Sequence, residues 1–296
     1  MKLALSMWTL AAAALLSPAA QAVDTLDRIK TQGTMRLGVR ADSGGLSYSW
    51  AEGNYGGFHV ELCQRVIADL EKQLGRKITV QWVPVTGQTR LFAMANGTTD
   101  MECGATTNNL TRQKDLAFAV TTYVEEVRAV VRKDSGIRSI QDMGGKAVAT
   151  SAGTTSLPLL RKWKTTNGQE IKEVVARSDT LAFALLAEGK ADAFVMDSQI
   201  LAAFISNSGK PDDYRLLSEV LSVEPIAIML PKDDPAFKKT VDESLKALMR
   251  SGEIQKIYSK WLLEPIPPNR VKINLPLSEA TKKAWAEPND RPVESY

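Results

Sequence analysis

Hydrophobic and polar residues repeat along the chain with the periods of helices and strands. From Phe58 to Leu74 apolar residues recur at four-residue spacing, which predicts an amphipathic helix that Gly75 would end. Apolar residues alternate from Met35 to Val39 and from Ile78 to Trp82, which predicts a strand on either side of that helix. Segment 41–57, rich in glycine and serine, is expected to be a loop. Strands that alternate with helices indicate a parallel sheet.

Further elements follow the same alternation. In the first half, the pattern predicts a helix over 25–31, a helix over 88–96 that Thr86 would cap, and a strand over 101–104. In the second half, it predicts strands over 147–150, 173–176 and 193–196, and helices over 157–163, 181–187, 198–206, 235–250 and 253–262. The proline-rich tail is expected to be extended, with one short helix over 277–285.

Two apolar runs interrupt this alternation. Val127 to Val131 is β-branched and has no helix before it, and Val223 to Leu230 is a second extended run. Both suit segments that cross between two lobes. We therefore expect two α/β lobes with parallel sheets, joined by a two-segment hinge. Lobe 1 would comprise residues 23–126 and 225–296, and lobe 2 would comprise residues 127–224.

The N-terminus has the composition of a secretory signal peptide. A short positive start, Met1-Lys2, precedes an apolar segment from Leu3 to Leu16 and the small-residue run Ala20-Gln21-Ala22. We expect residues 1–22 to be removed by cleavage after Ala22. The alternative is an uncleaved membrane anchor, but the apolar segment is shorter than the ~20 residues that span a bilayer.

Composition excludes several functional classes. The 296 residues include 37 lysines and arginines against 34 aspartates and glutamates, and the net charge of +3 argues against a nucleic-acid partner. Two cysteines and one histidine are too few for a four-ligand zinc site or a histidine-rich metal site. We therefore expect no metal, no cofactor and no nucleic acid, and a monomer by default.

The two cysteines permit two interpretations. Export allows a disulfide between Cys63 and Cys103, which would add ~4 kcal/mol on the chain-entropy model. The alternative is a pair of small buried thiols. The disulfide is the favoured interpretation.

Polar residues in lobe 1 are expected near strand ends, because open parallel sheets bind ligands at the carboxyl ends of their strands. Arg40, Arg90 and Arg112 each offer a fork of donors that matches a carboxylate. The hydroxyls of Thr106 and Thr107 would add neutral donors. For any single arginine, a solvated surface position is the alternative.

Lobe 2 offers complementary groups. Gly153, Thr154 and Thr155 precede a predicted helix, whose first N–H groups and positive dipole end favour an anion. Asp197 follows a predicted strand and is a natural acceptor for an ammonium group. Together with the arginines, these residues suit a zwitterion with an additional negative charge, that is, an acidic amino acid. The two sets of strand ends would face each other across a cleft that the ligand closes.

Several longer motifs carry a family resemblance. They are Thr25 to Ile29, Glu102 to Asn109, Arg112 to Lys114, Gly153 to Ser156, Ala193 to Asp197, Lys232 to Pro235, Pro265 to Pro268 and Glu287 to Asp290. Over essentially the whole mature chain, the sequence resembles the periplasmic solute-binding proteins of polar amino-acid ABC transporters, in particular the glutamate/aspartate-binding branch. The resemblance implies a two-lobed type II periplasmic binding protein, a periplasmic location, a membrane permease as partner and no enzymatic activity.

The resemblance also implies roles for the candidate residues. Arg112 and Thr107 would hold the ligand α-carboxylate with the turn 153–156, Asp197 would take the α-ammonium group, and Arg40 and Arg90 would face the side-chain carboxylate.

Three positions depart from that branch. It usually has serine where this chain has Gly87 and Ala105, and histidine where this chain has Asp179. If Asp179 faces the cleft, it replaces a potential cation with an anion, which would disfavour a carboxylate and favour an amide or a cationic side chain. The alternative, which we favour slightly from sequence, is that Asp179 caps the following helix.

Other functions remain open at this stage. The ligand could be another polar amino acid such as glutamine, asparagine or a basic one. A dehydratase of the cyclohexadienyl type also occurs on this fold and would need a general acid, for which Asp179 is the only unexpected carboxylate. A sensor subunit that feeds a signalling kinase is a third possibility.

Overall fold

The computed structural model describes residues 24–296, so the predicted signal peptide lies outside the described residues. The helices in this part are α1 (Thr25–Gln32), α2 (Phe58–Leu74), α3 (Arg90–Ala95), α4 (Leu110–Gln113), α5 (Ser156–Asn167), α6 (Asp179–Ala187), α7 (Ser198–Asn207), α8 (Pro235–Arg250), α9 (Glu253–Leu262) and α10 (Glu279–Ala286). The strands are β1 (Thr34–Val39), β2 (Asp42–Ser43), β3 (Ser47–Ala51), β4 (Asn54–Gly56), β5 (Thr79–Pro84), β6 (Met101–Glu102), β7 (Leu116–Phe118), β8 (Tyr123–Arg132), β9 (Ala147–Ser151), β10 (Lys172–Ala176), β11 (Ala193–Asp197), β12 (Tyr214–Leu216), β13 (Ser222–Ile226) and β14 (Met229–Pro231).

The first sheet has the strand order β5-β1-β6-β14-β7. As the alternation predicted, β1 pairs in parallel with β5 and β6. β14 pairs antiparallel with β6 and β7, so the sheet is mixed at one edge. Met35, Leu37 and Val39 of β1 are fully buried, and α2 packs against α8 and α9 over the same core.

The second sheet has the order β10-β9-β11-β8-β12, with β13 also beside β8. β9 pairs in parallel with β10 and β11, whereas β8 pairs antiparallel with β11, β12 and β13. The parallel sheets predicted from sequence are therefore present in both halves, and each is extended by antiparallel strands.

Two strands connect the sheets. β8 and β13 form an antiparallel ladder in which Tyr123 lies opposite Ile226 and Val127 lies opposite Ser222. Both apolar runs predicted to cross between lobes begin within this ladder, and the predicted lobe boundaries fall inside it.

The C-terminal tail packs along the first sheet's side of this ladder. α10 contacts α8 and β8, and Trp285 Nε1 donates a 2.8 Å hydrogen bond to the Thr122 carbonyl. The hydroxyl of Thr281 accepts from the Val124 N–H at 3.0 Å. The short helix predicted over 277–285 is thus confirmed with slightly later bounds.

One local prediction was wrong. Segment 41–57 forms the antiparallel sheet β2-β3-β4, in which the ring of Tyr48 packs 6.0 Å from that of Trp261, a contact distant in sequence. The helix predicted over 88–96 is present as α3 with a later start, Arg90, because Thr86 and Thr89 exchange side-chain hydrogen bonds in the turn before it. The apolar run from Val223, predicted to cross between lobes, divides into β13 and β14, which lie in different sheets. In residues 24–296, no helix is long and apolar enough to cross a membrane.

Candidate functional site

A small pocket lies between the two sheets, where their strands end. Most of the residues that line this cavity are polar or charged, so it suits a small polar molecule. Its lining contains seven of the predicted site residues: Arg40, Arg90, Thr107, Thr154, Thr155, Asp179 and Asp197. Ala105, Met196 and Ile200 complete the lining.

Two predicted residues lie beside the cavity and not in its lining. Thr106 is buried and donates its hydroxyl to Glu102 at 2.7 Å. Arg112 donates from Nη1 to the Thr107 carbonyl at 2.7 Å and from Nη2 to the Gly153 carbonyl at 3.5 Å. Arg112 therefore joins a loop of the first half to the turn of the second half, at the margin of the cavity.

Two buried guanidinium groups face the cavity. Arg40 directly follows β1, and Arg90 is the first residue of α3. Burial, with the nearby Arg112 cation, lowers the pKa of Arg90 to about 9. Burial opposes the charge of Arg40 too, but the carboxylates of Asp179 and Asp42 outweigh it and raise the Arg40 pKa. Specific carboxylates therefore stabilise the Arg40 cation, whereas burial destabilises the Arg90 cation.

Sequence reasoning missed Glu102, which lies among the arginines. It is fully buried, and its charge acts on Arg40, Arg90 and Arg112. A β-carbon at Gly104 would collide with the Glu102 carboxylate, so glycine is needed there. The signal in the sequence that could have identified Glu102 was a charged residue inside a predicted strand that is otherwise apolar.

Glu224 was missed for the same reason, since it lies within the apolar run of β13. Its Oε2 accepts hydrogen bonds from the hydroxyls of Thr107 and Thr155, each at 2.7 Å. One carboxylate thereby holds hydroxyl groups from both halves of the cleft in place.

Asp197 ends β11 and is 5% exposed. Within the described residues, its carboxylate accepts no hydrogen bond that would satisfy it. Burial raises the Asp197 pKa well above its usual range, and the neighbouring carboxylates of Glu125 and Glu224 raise it further. A ligand ammonium group would supply the missing donors and charge, which is the chemistry predicted for this position.

Asp179 does not cap α6, so the preferred interpretation from sequence was wrong. Ser178 is the N-cap and accepts the Leu181 N–H at 3.2 Å. Asp179 is the first helical residue, is 1% exposed and places Oδ2 2.9 Å from Arg40 Nη2. Its side chain is free to enter the cleft because Ser178 already satisfies the helix end.

The two halves touch closely around the cavity. Gly153, at φ +78°, approaches Gly87 so closely that a β-carbon would collide with the Gly87 carbonyl. A β-carbon at Gly87 would lie 2.8 Å from the Ala152 carbonyl. Glycine at 87, where the resembling branch has serine, therefore matches the close approach of the backbones here.

Further hydrogen bonds join the two halves of the protein elsewhere around the cavity. The N–H groups of Asp179 and Thr180 donate to Asp42 Oδ2 at 3.0 and 3.3 Å, and Gly45 N–H donates to Gln199 Oε1 at 3.1 Å. The structure is thus a closed arrangement of the cleft.

A disulfide supports the loop that carries Thr106 and Thr107. Cys63 of α2 and Cys103 are bonded, which confirms the favoured interpretation of the cysteines. One helical turn earlier, His59 is fully buried and hydrogen-bonds the Gly104 carbonyl and the Thr122 hydroxyl. Burial lowers the pKa of His59 to about 4. Among the described residues, no group of three or more acidic, histidine or cysteine side chains could hold a metal ion.

Comparison with known proteins assigns the family. The model of the bacterial extracellular solute-binding proteins, family 3, matches residues 35–264. The chain belongs to this family. It is 38% identical over 272 residues to the L-glutamate/L-aspartate-binding protein of Pseudomonas aeruginosa, covering 91% of this chain and 90% of that one. It is 35% identical over 268 residues to the glutamate/aspartate import solute-binding protein of Escherichia coli, covering 90% and 89%.

Solved structures agree on the fold of this family 3 protein. A crystal structure of a mutant of ArgBP from T. maritima superposes with a TM-score of 0.71 at 29% identity, covering 80% of this chain and 98% of that one. The expected fold, a two-lobed type II periplasmic binding protein, is confirmed. The matched residues include the whole cavity lining, whereas the tail beyond residue 264 lies outside the family match.

Proposed function

We propose that this family 3 protein is the extracytoplasmic receptor of an amino-acid ABC transporter, and that it captures glutamate or aspartate in the closed cleft. The observation that carries the proposal is the chemistry of one cavity lining, which combines the buried guanidinium groups of Arg40 and Arg90 with the buried carboxylate of Asp197. The two curated relatives above are named for glutamate and aspartate, which supports the same ligand class here.

Each group of the ligand has its own binding residues in this proposal. Arg112, Thr107 and the turn that carries Thr154 and Thr155 hold the α-carboxylate. Asp197 accepts from the α-ammonium group. Two carboxylates line the cavity, and within the described residues Asp179 is bonded to Arg40, whereas Asp197 is bonded to no cationic side chain. Arg40 and Arg90 face the ligand side chain. Thr106 serves indirectly, because its hydroxyl fixes the Glu102 carboxylate beneath the arginines.

Binding and closure are coupled because both lobes supply contacts. Lobe 1 supplies the arginines, and Asp197 and Thr154 belong to lobe 2, so a ligand gains its full set of bonds only when the cleft closes. The lobes, 23–126 with 225–296 and 127–224, would rotate about β8 and β13. The closed surface is then presented to a membrane permease.

Location and assembly follow from the same proposal. Cleavage after Ala22 releases the mature chain into the periplasm, where it acts as a monomer with no cofactor. In this proposal the site carries out no reaction. The ion pair with Arg40 opposes protonation of Asp179, the candidate acid of the dehydratase alternative, although burial raises the pKa of that carboxyl.

A thermal-shift panel of the mature chain from Val23 onward tests the proposal. The ligands are the twenty amino acids, several dicarboxylates and prephenate. A ligand at 100 times its dissociation constant adds ~2.7 kcal/mol, which raises the melting temperature by several degrees. Stabilisation by glutamate or aspartate supports the proposal. No shift with any amino acid, or turnover of prephenate, would contradict it.

A further inference from the structure

We propose that Asp179 makes the side-chain end of the cleft a carboxamide subsite, so that glutamine and asparagine bind at least as tightly as glutamate and aspartate. This inference rests on the proposed receptor function and names a specificity-determining residue for it. It concerns a position where this chain departs from the branch it resembles.

The first step is the position of the Asp179 carboxylate. It reaches across the cleft from the second half, and Oδ2 lies 2.9 Å from Nη2 of Arg40 in the first half. Asp179 lines the cavity while only 1% exposed. The neighbouring Ser151 hydroxyl acts on its carboxylate, yet no described residue lies at hydrogen-bond geometry to Oδ1. A buried, unsatisfied acceptor thus lies at the side-chain end of the cavity.

The second step is the unsatisfied donor nearby. Nη1 of Arg90 donates to the Ala105 carbonyl at 2.8 Å, but its buried Nε finds no acceptor among the described residues. Arg90 lines the same cavity and is close enough for its charge to act on Asp179. A carboxamide supplies both missing partners, because its carbonyl accepts from Arg90 and its NH₂ group donates to Asp179.

The third step is charge. Nη2 of Arg40 is bonded to both Asp42 and Asp179 at 2.9 Å each, so two carboxylates already balance the charge of this guanidinium, although its Nε has no partner among the described residues. A carboxylate placed against Asp179 Oδ1 would meet a like charge in a site with little water to screen it. Around the cleft, three arginines face the carboxylates of Asp42, Glu102, Asp179 and Glu224, apart from Asp197, whose pKa burial raises and whose proposed partner is the ligand ammonium group. A net-neutral zwitterion suits this balance better than an anion.

Other side chains fit less well. A cationic side chain would lie against Arg40 and Arg90, two guanidinium groups that line the same small cavity. An apolar side chain would leave Arg90 Nε and Asp179 Oδ1 buried and unpaired, which is unfavourable for both groups.

Isothermal titration calorimetry with L-glutamate, L-glutamine, L-aspartate and L-asparagine tests the inference. The proteins are the mature chain, Asp179→Asn and Asp179→His, with the exposed Asp213→Asn as the matched control. We expect the mature chain and the control to bind each amide at least as tightly as its acid. Asn or His at 179 can donate to a carboxylate, so both variants should move the acid-to-amide affinity ratio at least tenfold toward the acids.

The outcomes separate the two proposals. A tenfold or greater preference of the mature chain for the acids, or an affinity ratio that neither variant changes, overturns the role of Asp179 and leaves the receptor function intact. If none of the four ligands binds the mature chain, the proposed function itself is overturned. Circular dichroism of each variant verifies its fold, and the ratio measured on the mature chain decides the inference even where a variant does not fold.

Discussion

At the scale of single residues, this protein buries carboxylates that have no cationic partner among the described residues. Asp197 and Glu125 are buried carboxylates with no cationic side chain bonded to them in the described structure, and Glu125 lies opposite Glu224 in the β8–β13 ladder. Such groups lower stability, because an unpaired buried charge is expensive. In the case of Asp197, the destabilising carboxylate lies where the proposed ligand would place its ammonium group.

Asp197→Asn is therefore expected to have opposite effects on stability and affinity. Removing the unpaired charge should raise the melting temperature of the ligand-free protein at pH 7. The loss of a charge-assisted bond should weaken amino-acid binding by about 10- to 100-fold. Differential scanning fluorimetry and calorimetric titration measure the two effects, with the exposed Asp212→Asn as control. Unchanged affinity in Asp197→Asn would contradict the role given to Asp197.

Glu125 gives a pH-dependent prediction. Burial raises its pKa from 4.5 to about 7, although Ser198 donates its N–H at 2.9 Å and its hydroxyl to Oε1. The folded protein thus retains a proton that the unfolded chain releases. Its contribution to stability is fully present below pH 4.5 and is lost as the pH rises through about 7.

Glu125→Gln removes this titration while keeping the shape of the side chain. Urea denaturation at pH 5 and pH 8 should show that the free energy of unfolding falls less in the variant than in the unmodified chain, by up to roughly 3 kcal/mol. The exposed Glu188→Gln is the control. Equal pH dependence in all three proteins would mean that Glu125 titrates in its ordinary range.

At the scale of elements, covalent and packing constraints position the ligand loop. The Cys63–Cys103 disulfide joins α2 to the residue after β6, directly before the loop with Gly104 to Thr107. His59 of α2 bonds the Gly104 carbonyl from the same helix face. The loop residues therefore take their positions from α2 as well as from their own strand.

Removing the disulfide should lower stability more than affinity. Its cysteines are 40 positions apart, and a loop of that length gives ~4 kcal/mol on the chain-entropy model. Melting temperature should drop by several degrees on reduction with dithiothreitol. The double variant Cys63→Ser, Cys103→Ser should melt at this lower temperature and be insensitive to the reductant. A reductant effect of equal size in the double variant would assign the loss to something other than this bond.

At the scale of the whole molecule, closure depends on backbone contact between the two halves. Gly153 and Gly87 meet where no side chain fits. Near them, the side chains of Thr107, Thr155 and Glu224 form hydrogen bonds across the cleft. These contacts exist only in a closed arrangement, so their loss should affect ligand binding more than folding.

Gly153→Ala tests this with a close control. Both Gly153 and Gly168 have positive φ, +78° and +61°, so alanine strains each backbone by about 1–2 kcal/mol. At Gly168 nothing lies within 4 Å of the added β-carbon, whereas at Gly153 it collides with the Gly87 carbonyl. We expect both variants to lose similar stability. Only Gly153→Ala should bind its amino acid at least tenfold more weakly and show a smaller ligand-induced decrease in radius of gyration by small-angle X-ray scattering. Equal affinities would contradict the closure model.

Much of the fold could be predicted because local periodicity reports it directly. The long amphipathic helices α2, α8 and α9 and the strands β1, β9 and β11 follow from apolar spacing, which needs no knowledge of distant contacts. The antiparallel sheet β2-β3-β4 could not be predicted, because its short strands depend on packing against Trp261. The antiparallel position of β14 likewise depends on the return of the chain from the second half.

The sequence by itself determined the family and the two-lobed α/β architecture. It also identified nine candidate site residues, seven of which line the cavity, because motifs and strand ends are encoded locally. Only the tertiary structure decided that Asp179 pairs with Arg40 instead of capping α6, that His59 is buried, and that Glu102 and Glu224 belong to the site. The physical reason is the same in each case. The charge state and partners of a buried polar group are set by residues far away in sequence, and burial makes those partners decisive.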